Sequence, residues 1–329
     1  MLDTGTRSIT IIEGDTMPLQ FGRSAFIKYE QESTYGTAVT TAISNRVTSV
    51  TLSRSQERER TTHLSQSDAA FAGSTFDAFE QAGGTIEMPL FYKGMGQLLK
   101  CAIGGTPATT GAGPYTHAFE PTTVLPSLTL EFQRGTGSVE KFEGVMVTSM
   151  TISCEAGAEA SASFEVIAET ASTRTTAITP TFGNGAQVFH HQAGTLSYNS
   201  NSYTVRSFEF TVDNKLERVN NLGSKLTGQP QISDVREVTI TCTLDLEDNN
   251  LYNSQLAGDQ SDVELAFTAG ADSLTFLLRN AKITEYSDDV TSFGRIERTV
   301  TFFGLADLSA PETAFKLTMI NDAANATSN

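Results

Sequence analysis

Short runs in which apolar and polar residues alternate fill this chain, and they come round twice in the same order. A period of two sends every second side chain to one face, which marks a strand packed on one side and wet on the other. Ile86, Met88 and Leu90 alternate with Glu87 and Pro89, and Leu128, Leu130 and Phe132 alternate with Thr129 and Glu131. Val145, Val147, Met150 and Ile152 form a further strand, and Phe164 and Val166 another. Val47, Val50 and Leu52 open a strand that runs into the charged stretch 54–60. Pro89 has no N–H to give, so its strand is expected at an edge or to carry a bulge. One helix is expected in this half, over residues 96–103. Leu98, Leu99, Ala102 and Ile103 fall there at helical spacing, and Gly104-Gly105 stops it.

The second half repeats this order. Residues 47–52 (VTSVTL) match 205–210 (VRSFEF), and the same frame carries 57–60 onto 215–218. Ile86, Met88 and Leu90 match Ile240, Cys242 and Leu244, and 97–104 run without a gap against 251–258, both ending on Gly. Residues 127–130 match 273–276, Val147 matches Ile283, and 164–168 match 300–304. Alternating strands resemble one another by chance, but a common order around a single helix implies duplication. The expected fold is mostly β, with two tandem β-sandwich or partial-barrel domains, each with one short helix. The first spans 25–170 and the second 186–308. They are joined by a linker over 171–185, preceded by an arm over 1–24 and followed by a C-terminal tail over 309–329. Residues 61–84 are small, polar and without a packing pattern, and are expected to form a long loop suited to reaching a neighbouring subunit. Its counterpart, 219–236, is shorter and carries Pro230.

Composition narrows function. The formal net charge is −16, from 38 acidic and 22 basic side chains, and a protein that grips phosphates is usually basic. Three cysteines with no CxxC argue against a disulfide framework or a zinc site. The first twenty residues lack a basic-then-apolar leader, and no apolar run approaches membrane-spanning length, so a soluble, non-secreted protein is expected. Asp3-Thr4-Gly5 occurs once, whereas aspartic-protease chemistry needs two carboxylates sharing a proton. His63, His117, His190 and His191 have no metal-ligand spacing and read as ordinary surface or half-buried residues. Residues 245–250 (DLEDNN) lack the glycine of a calcium loop and read as a capped helix start. Gly94-Met95-Gly96 has Leu99 where a dinucleotide loop needs its third glycine, and Cys101 falls on the packed helix face. No catalytic residue, cofactor or metal site is expected.

Several of these segments resemble a known family. Residues 30–37 (EQESTYGT), 84–90 (GTIEMPL) running into 98–104 (LLKCAIG), and 115–121 (YTHAFEP) followed by 125–129 (LPSLT) are similar to the two-domain tail tube proteins of long, non-contractile phage tails. Gly144 with 147–151 (VTSMT) extends the likeness, and 237–244 (EVTITCTL) carries it loosely into the second half. Residues 1–24 depart from the pattern. The resemblance implies a structural, non-enzymatic subunit of the virion, assembled in the host cytoplasm. Six β-domains, and hence three chains, would close a pseudo-hexameric ring. Rings would stack around a tape-measure protein, meet terminator and tail-tip or baseplate proteins at the ends, and later conduct double-stranded DNA without binding it. Four acids, Glu87, Glu131, Glu143 and Glu165, alternate with core residues and are candidates to face that lumen, where they would repel phosphate. Three other readings stand beside this one: a terminator, baseplate or decoration protein of the same fold, a carbohydrate-binding adhesin, and a virion hydrolase. The adhesin is disfavoured by the absence of Trp, and the hydrolase by the absence of a nameable acid/base pair.

Overall fold

A computed structural model describes residues 21–61, 74–172, 177–182, 187–290, 293–307 and 313–326. Residues 1–20 of the arm expected over 1–24, His63 and the tip of the 61–84 segment lie outside them. The first half contains β1 (Phe26–Gln31), β2 (Ile43–Asn45), β3 (Ser49–Val50), β4 (Ser53–Thr61), β5 (Ser74–Pro89), α1 (Gly96–Ile103), β6 (Ala108–Thr110), β7 (Tyr115–Phe119), β8 (Leu128–Arg134), β9 (Ser138–Glu155), β10 (Ser161–Ala168) and β11 (Thr170–Ala171). The second contains β12 (Gly194–Tyr198), β13 (Asn201–Tyr203), β14 (Val205–Asp213), β15 (Leu216–Val219), β16 (Gly228–Ile232), β17 (Glu237–Asp245), α2 (Asn250–Ala257), β18 (Gln260–Ala269), β19 (Asp272–Ser287), β20 (Glu297–Phe303) and β21 (Phe315–Asn321). All pairings are antiparallel. The fold is mostly β, as the alternation implies.

Each half is a sheet wrapped over a core, and its longest strand serves both layers. The first part of β9 pairs with β8, and its second part pairs with β10. In the second half, β19 does the same with β18 and β20. Ile27, Tyr29, Leu130 and Phe142 meet Ile86, Met150 and Phe164 in one apolar cluster that continues into the second half through Phe210, Ile240, Phe276 and Phe302. Each such side chain taken out of water contributes about 1.5–3 kcal/mol.

The duplication is legible in the irregularities. Between Leu128 and Leu130 the β8–β9 register slips, and between Ser261 and Val263 the β18–β19 register slips in the same way. On the facing strands Gly144 has φ +65° and Asn280 has φ +45°. These are the two residue types that occupy the left-handed region most readily. A second slip leaves Thr148 unpaired in β9, and the corresponding slip leaves Thr284 unpaired in β19. Their hydroxyls donate to equivalent carbonyls, Thr148 to Glu165 O at 3.0 Å and Thr284 to Thr301 O at 3.3 Å. The buried Tyr29 lies opposite Leu130, and the buried Tyr198 opposite Val263.

Two segment matches are corrected by the pairing. Ile86 lies opposite Val50 and Phe164, whereas Cys242 lies opposite Phe208 and Val300. Ile86 therefore corresponds to Cys242 and not to Ile240. A slip of two residues keeps the buried face unchanged, so alternation alone cannot detect it. Residues 273–276 lie on β19, while the counterpart of Leu130 on β8 is Val263 on β18.

Two further stretches differ from expectation. The 61–84 segment is no loop at its C-terminal end: β5 begins at Ser74 and pairs with β4 as a long hairpin arm. The arm leaves the body at Gly83 and Gly84, both at φ +147°, where a Cβ would strike Val166 O or Thr51 O within 3 Å. The stretch 309–329, expected as a tail, holds β21, which pairs with β19 on one side and with β7 on the other.

Candidate functional site

The two halves are joined edge to edge. Strand β9 of the first pairs with β14 of the second from Ser149–Asp213 through Glu155–Ser207. The inner layers thus become one sheet, in the order β5, β10, β9, β14, β17, β20. One face of this sheet is core: Met150, Ile152, Phe208, Phe210 and Val212 are buried. The other face is polar. Along the junction, Ser149, Thr151, Ser153 and Glu155 lie opposite Asp213, Thr211, Glu209 and Ser207. No acid there faces another directly, which avoids the like-charge penalty of opposed cross-strand pairs. The hydroxyls of Thr151 and Thr211 approach to 3.3 Å, and those of Thr241 and Thr301 to 3.2 Å. Asp213 does lie opposite Glu237, and Lys215 bridges them at 2.7 and 2.9 Å. Its hydrogen bonds to those two carboxylates push the Lys215 ammonium above its ordinary pKa. The face is dished into an open depression of about 480 Å³ whose lining includes Glu155, Glu159, Glu209, Thr241 and Thr243.

The same layer ends in two unpaired edges. Among the described residues, strands β3 and β4 pair only with β5, and residues 285–287 of β19 pair only with β20. By the bulge equivalences these are the counterparts of β14 and of the end of β9, the two strands that meet at the internal junction. Beyond β19 the chain displays Val290, Phe293 and Ile296, with Val290 70% exposed. The corresponding residue at the internal junction is Cys154, 7% exposed.

A family model described as phage tail tube protein matches residues 22–309. The chain belongs to that family. Among curated proteins, none matches it. Membership makes this tail tube protein a structural component of a phage tail.

The four candidate acids of the tube protein separate into two places. Glu87 and Glu165 are exposed on the polar face, diagonal to one another across β5 and β10, with Glu87 opposite Ser163 and Glu165 opposite Thr85. Glu131 lies in the other layer, between Lys28 and Lys141 on the neighbouring strands, and accepts a hydrogen bond from Thr41. Glu143 lies beside the β8–β9 bulge, opposite Thr170. The structure therefore does not bring the four together.

The segments that carry the family likeness form two local structures. Glu32, from 30–37, is buried and its carboxylate takes four hydrogen bonds: from the Ser127 hydroxyl at 2.7 Å, the Thr129 hydroxyl at 2.9 Å, the Gly144 amide at 2.9 Å and the Gly36 amide at 3.0 Å. It ties the 32–42 loop to the bulge. Burial pushes the adjacent Glu169 carboxyl above its ordinary pKa, and the charges of Glu32 and Glu143 push it the same way. In the second structure, His117 is fully buried rather than at the surface. Its Nε2 donates to Ala323 O at 3.0 Å, so its Nδ1 accepts from Thr109 Oγ1 at 2.9 Å. His190 and His191 are exposed. The three cysteines are buried and free, and burial pushes the Cys101 thiol up to about 12. Among the described residues no group of His, Cys, Asp or Glu could hold a metal ion, and no helix is long and apolar enough to cross a membrane. Residues 245–250 lead into α2, where the Asp248 carboxylate accepts the Asn250 amide at 3.1 Å and the N-cap residue, Asn249, makes no side-chain capping bond.

Proposed function

We propose that this chain builds the tail tube as three-chain rings in which the internal β9–β14 junction is repeated between subunits. One observation carries the reading: the strands equivalent to the two members of that junction are left as open edges at opposite ends of the inner sheet. Carrying the internal register across sets Glu285, Tyr286 and Ser287 of one copy against Ser55, Arg54 and Ser53 of the next. This contact satisfies edge groups that would otherwise invite uncontrolled pairing, and it covers Val290. Three chains of two halves each give six positions around the ring, alternating in kind, so the ring is three-fold in detail and approximately six-fold in outline. The unequal hairpins β4–β5 and β15–β16 support that alternation.

In this ring the polar face lines the lumen, with Glu87 and Glu165 on it and Glu131 and Glu143 elsewhere. Hydroxyls and dispersed carboxylates form a surface that hydrates well, and the Lys215 ammonium on it is held between Asp213 and Glu237, which suits a conduit for DNA around a departing tape-measure protein. Rings then stack, and terminator and tip proteins close the ends. Negative-stain imaging of the purified chain, paired with mass measurement of its soluble form, tests the reading. Regular tubes of three-chain rings are expected. Single rings that never stack would favour a terminator or baseplate role, and a chain that stays monomeric under all assembly conditions would remove the tube role.

A further inference from the structure

The two strands of the internal junction meet on apolar side chains. On the core face Met150 lies opposite Val212, Ile152 opposite Phe210 and Cys154 opposite Phe208, and all of these are buried. The open edges present something else at the same positions. The bulge equivalences carry Met150, Ile152 and Cys154 onto Tyr286, Asp288 and Val290. On the other strand, Phe208 lies opposite Cys242 and Val50 opposite Ile86, and Cys242 and Ile86 are counterparts. Phe208, Phe210 and Val212 therefore become Val50, Leu52 and Arg54. Each edge thus carries one charge in its core-facing row, Asp288 on one and Arg54 on the other.

Both charges are open to a partner. Asp288 is exposed, and its carboxylate accepts the Tyr286 hydroxyl at 3.3 Å. The Arg54 side chain is 31% exposed. Its Nη2 donates to the buried Glu80 carboxylate at 2.8 Å, which fixes the guanidinium at the edge. A guanidinium has several N–H donors, so one carboxylate does not exhaust it. Apolar side chains flank the charges on each edge. Val290 and Phe293 are exposed beyond β19, and Val47 and Val50 sit half-buried at the rim of the core beside β3.

We propose that Asp288 of one copy and Arg54 of a second copy form the recognition pair of the seam between subunits. The pair rests on the ring reading above and names what that seam selects. At the internal register Asp288 falls opposite Leu52 and diagonal to Arg54, a separation that long side chains span. Val290 then meets Val50, and Phe293 comes beside Val47. The same charges reject the other ways in which two edges can join. Two β4 edges would bring cation toward cation, and two β19 edges acid toward acid, and like charges across strands repel. Only unlike edges fit, so the contact is head-to-tail, the kind that closes rings, and not a two-fold dimer. In the free chain each charge interrupts the apolar row of its edge, which keeps that edge from joining indiscriminately. The internal junction carries no charge at these positions, since strands of one chain have no partner to choose.

The test compares Asp288→Asn, Asp288→Lys and Arg54→Gln with the wild-type chain by sedimentation and imaging, reading the protein concentration at which rings or tubes appear. Asp288→Lys is expected to raise it about tenfold or more and Asp288→Asn about threefold, because every subunit in a ring repeats the contact. Raising salt from about 0.05 M to about 0.5 M is expected to raise the wild-type threshold and to leave that of Asp288→Asn nearly unchanged. In the Arg54→Gln background Asp288→Asn is expected to add nothing further, as two members of one pair do. The melting temperature of the unassembled chain is expected to stay unchanged for both Asp288 variants. If the wild type assembles and Asp288→Lys assembles at the same concentration, or if salt acts alike on wild type and Asp288→Asn, the pair is refuted and the ring stands. A wild type that never forms rings refutes the ring, and the pair with it. A melting temperature lowered by Asp288→Asn would place Asp288 in the fold of one chain and also overturn the pair.

Discussion

Replacing Glu32 removes the acceptor at the centre of four hydrogen bonds. The residue is 4% exposed, so water reaches its carboxylate poorly. Two of the donors, the Ser127 and Thr129 hydroxyls, are free to rotate when the carboxylate goes. The Gly36 and Gly144 amides cannot rotate, because each is fixed in a backbone of positive φ, at +69° and +65°. An unsatisfied buried amide costs about 1–3 kcal/mol, and a hydrogen bond to a charged group contributes about 1.5–3 kcal/mol. Glu32→Ala is therefore expected to lose about 4–6 kcal/mol in all. Glu32→Gln keeps one oxygen for two donors and turns an amide NH2 toward the other two, for a loss of about 2–4 kcal/mol. With about 2–4 °C of melting temperature per kcal/mol in domains of this size, Glu32→Gln should melt about 4–16 °C early. Calorimetry and urea titration of the unassembled chain at pH 7 read both variants. A Glu32→Gln loss below about 1 kcal/mol, or an Ala variant no worse than the Gln variant, would refute the claim that the carboxylate organises the loop.

Three further outcomes are expected. Glu169 has a raised folded pKa, so the native state holds its proton more tightly than the unfolded chain, and stability falls as pH rises from the ordinary carboxylate value through the raised one. Glu169→Gln should remove that decline, stabilising the protein at pH 7 and changing little near pH 4 in denaturant titrations at the two pH values. His117→Ala leaves the Ala323 carbonyl and Thr109 hydroxyl without their partner, so a loss of about 1–3 kcal/mol and faster proteolytic trimming of the last residues, read by mass spectrometry, are expected. Glu87→Lys combined with Glu165→Lys should leave tube formation intact and make the tubes retain DNA at low salt in co-sedimentation, where wild-type tubes retain none. Equal retention by both would remove these two acids from the lumen.

Much of this fold was readable because burial writes itself into alternation, and the reading fails where burial is absent or partial. The helix α1 was legible from Leu98, Leu99, Ala102 and Ile103 followed by Gly104, since one buried face and one stop signal suffice. The strands of the β4–β5 arm were not legible beyond the body. Arg58, Glu59, Phe76 and Asp77 are all exposed, so neither face carries an apolar pattern. Strand β21 did carry one, in Phe315, Leu317 and Met319, and its place at the chain end masked it. Of the candidate acids, Glu87 and Glu165 are exposed, whereas Glu131 and Glu143 are half-buried. Alternation could not tell that Glu87 and Glu165 share the inner layer while Glu131 belongs to the other, because a period of two names a face and not a sheet. Arg218 on β15, which donates to Ala168 O and Ala82 O, gave no signal at all, since these acceptors lie 50 and 136 residues earlier in the chain.

Strand β21 also sets a clock. Strand β7 of the first half gains its outer neighbour only when residues 315–321 have been made, close to 200 residues after Phe119. At about 5–20 residues per second, the ribosome leaves that place empty for roughly 10–40 seconds. A nascent chain, or one cut short by a premature stop, carries a first half with β7 uncovered and His117 lacking its Ala323 acceptor. The first half is completed only by a strand that follows the whole of the second. A chain cut short before Phe315 thus carries its defect in the first half, far in sequence from the cut.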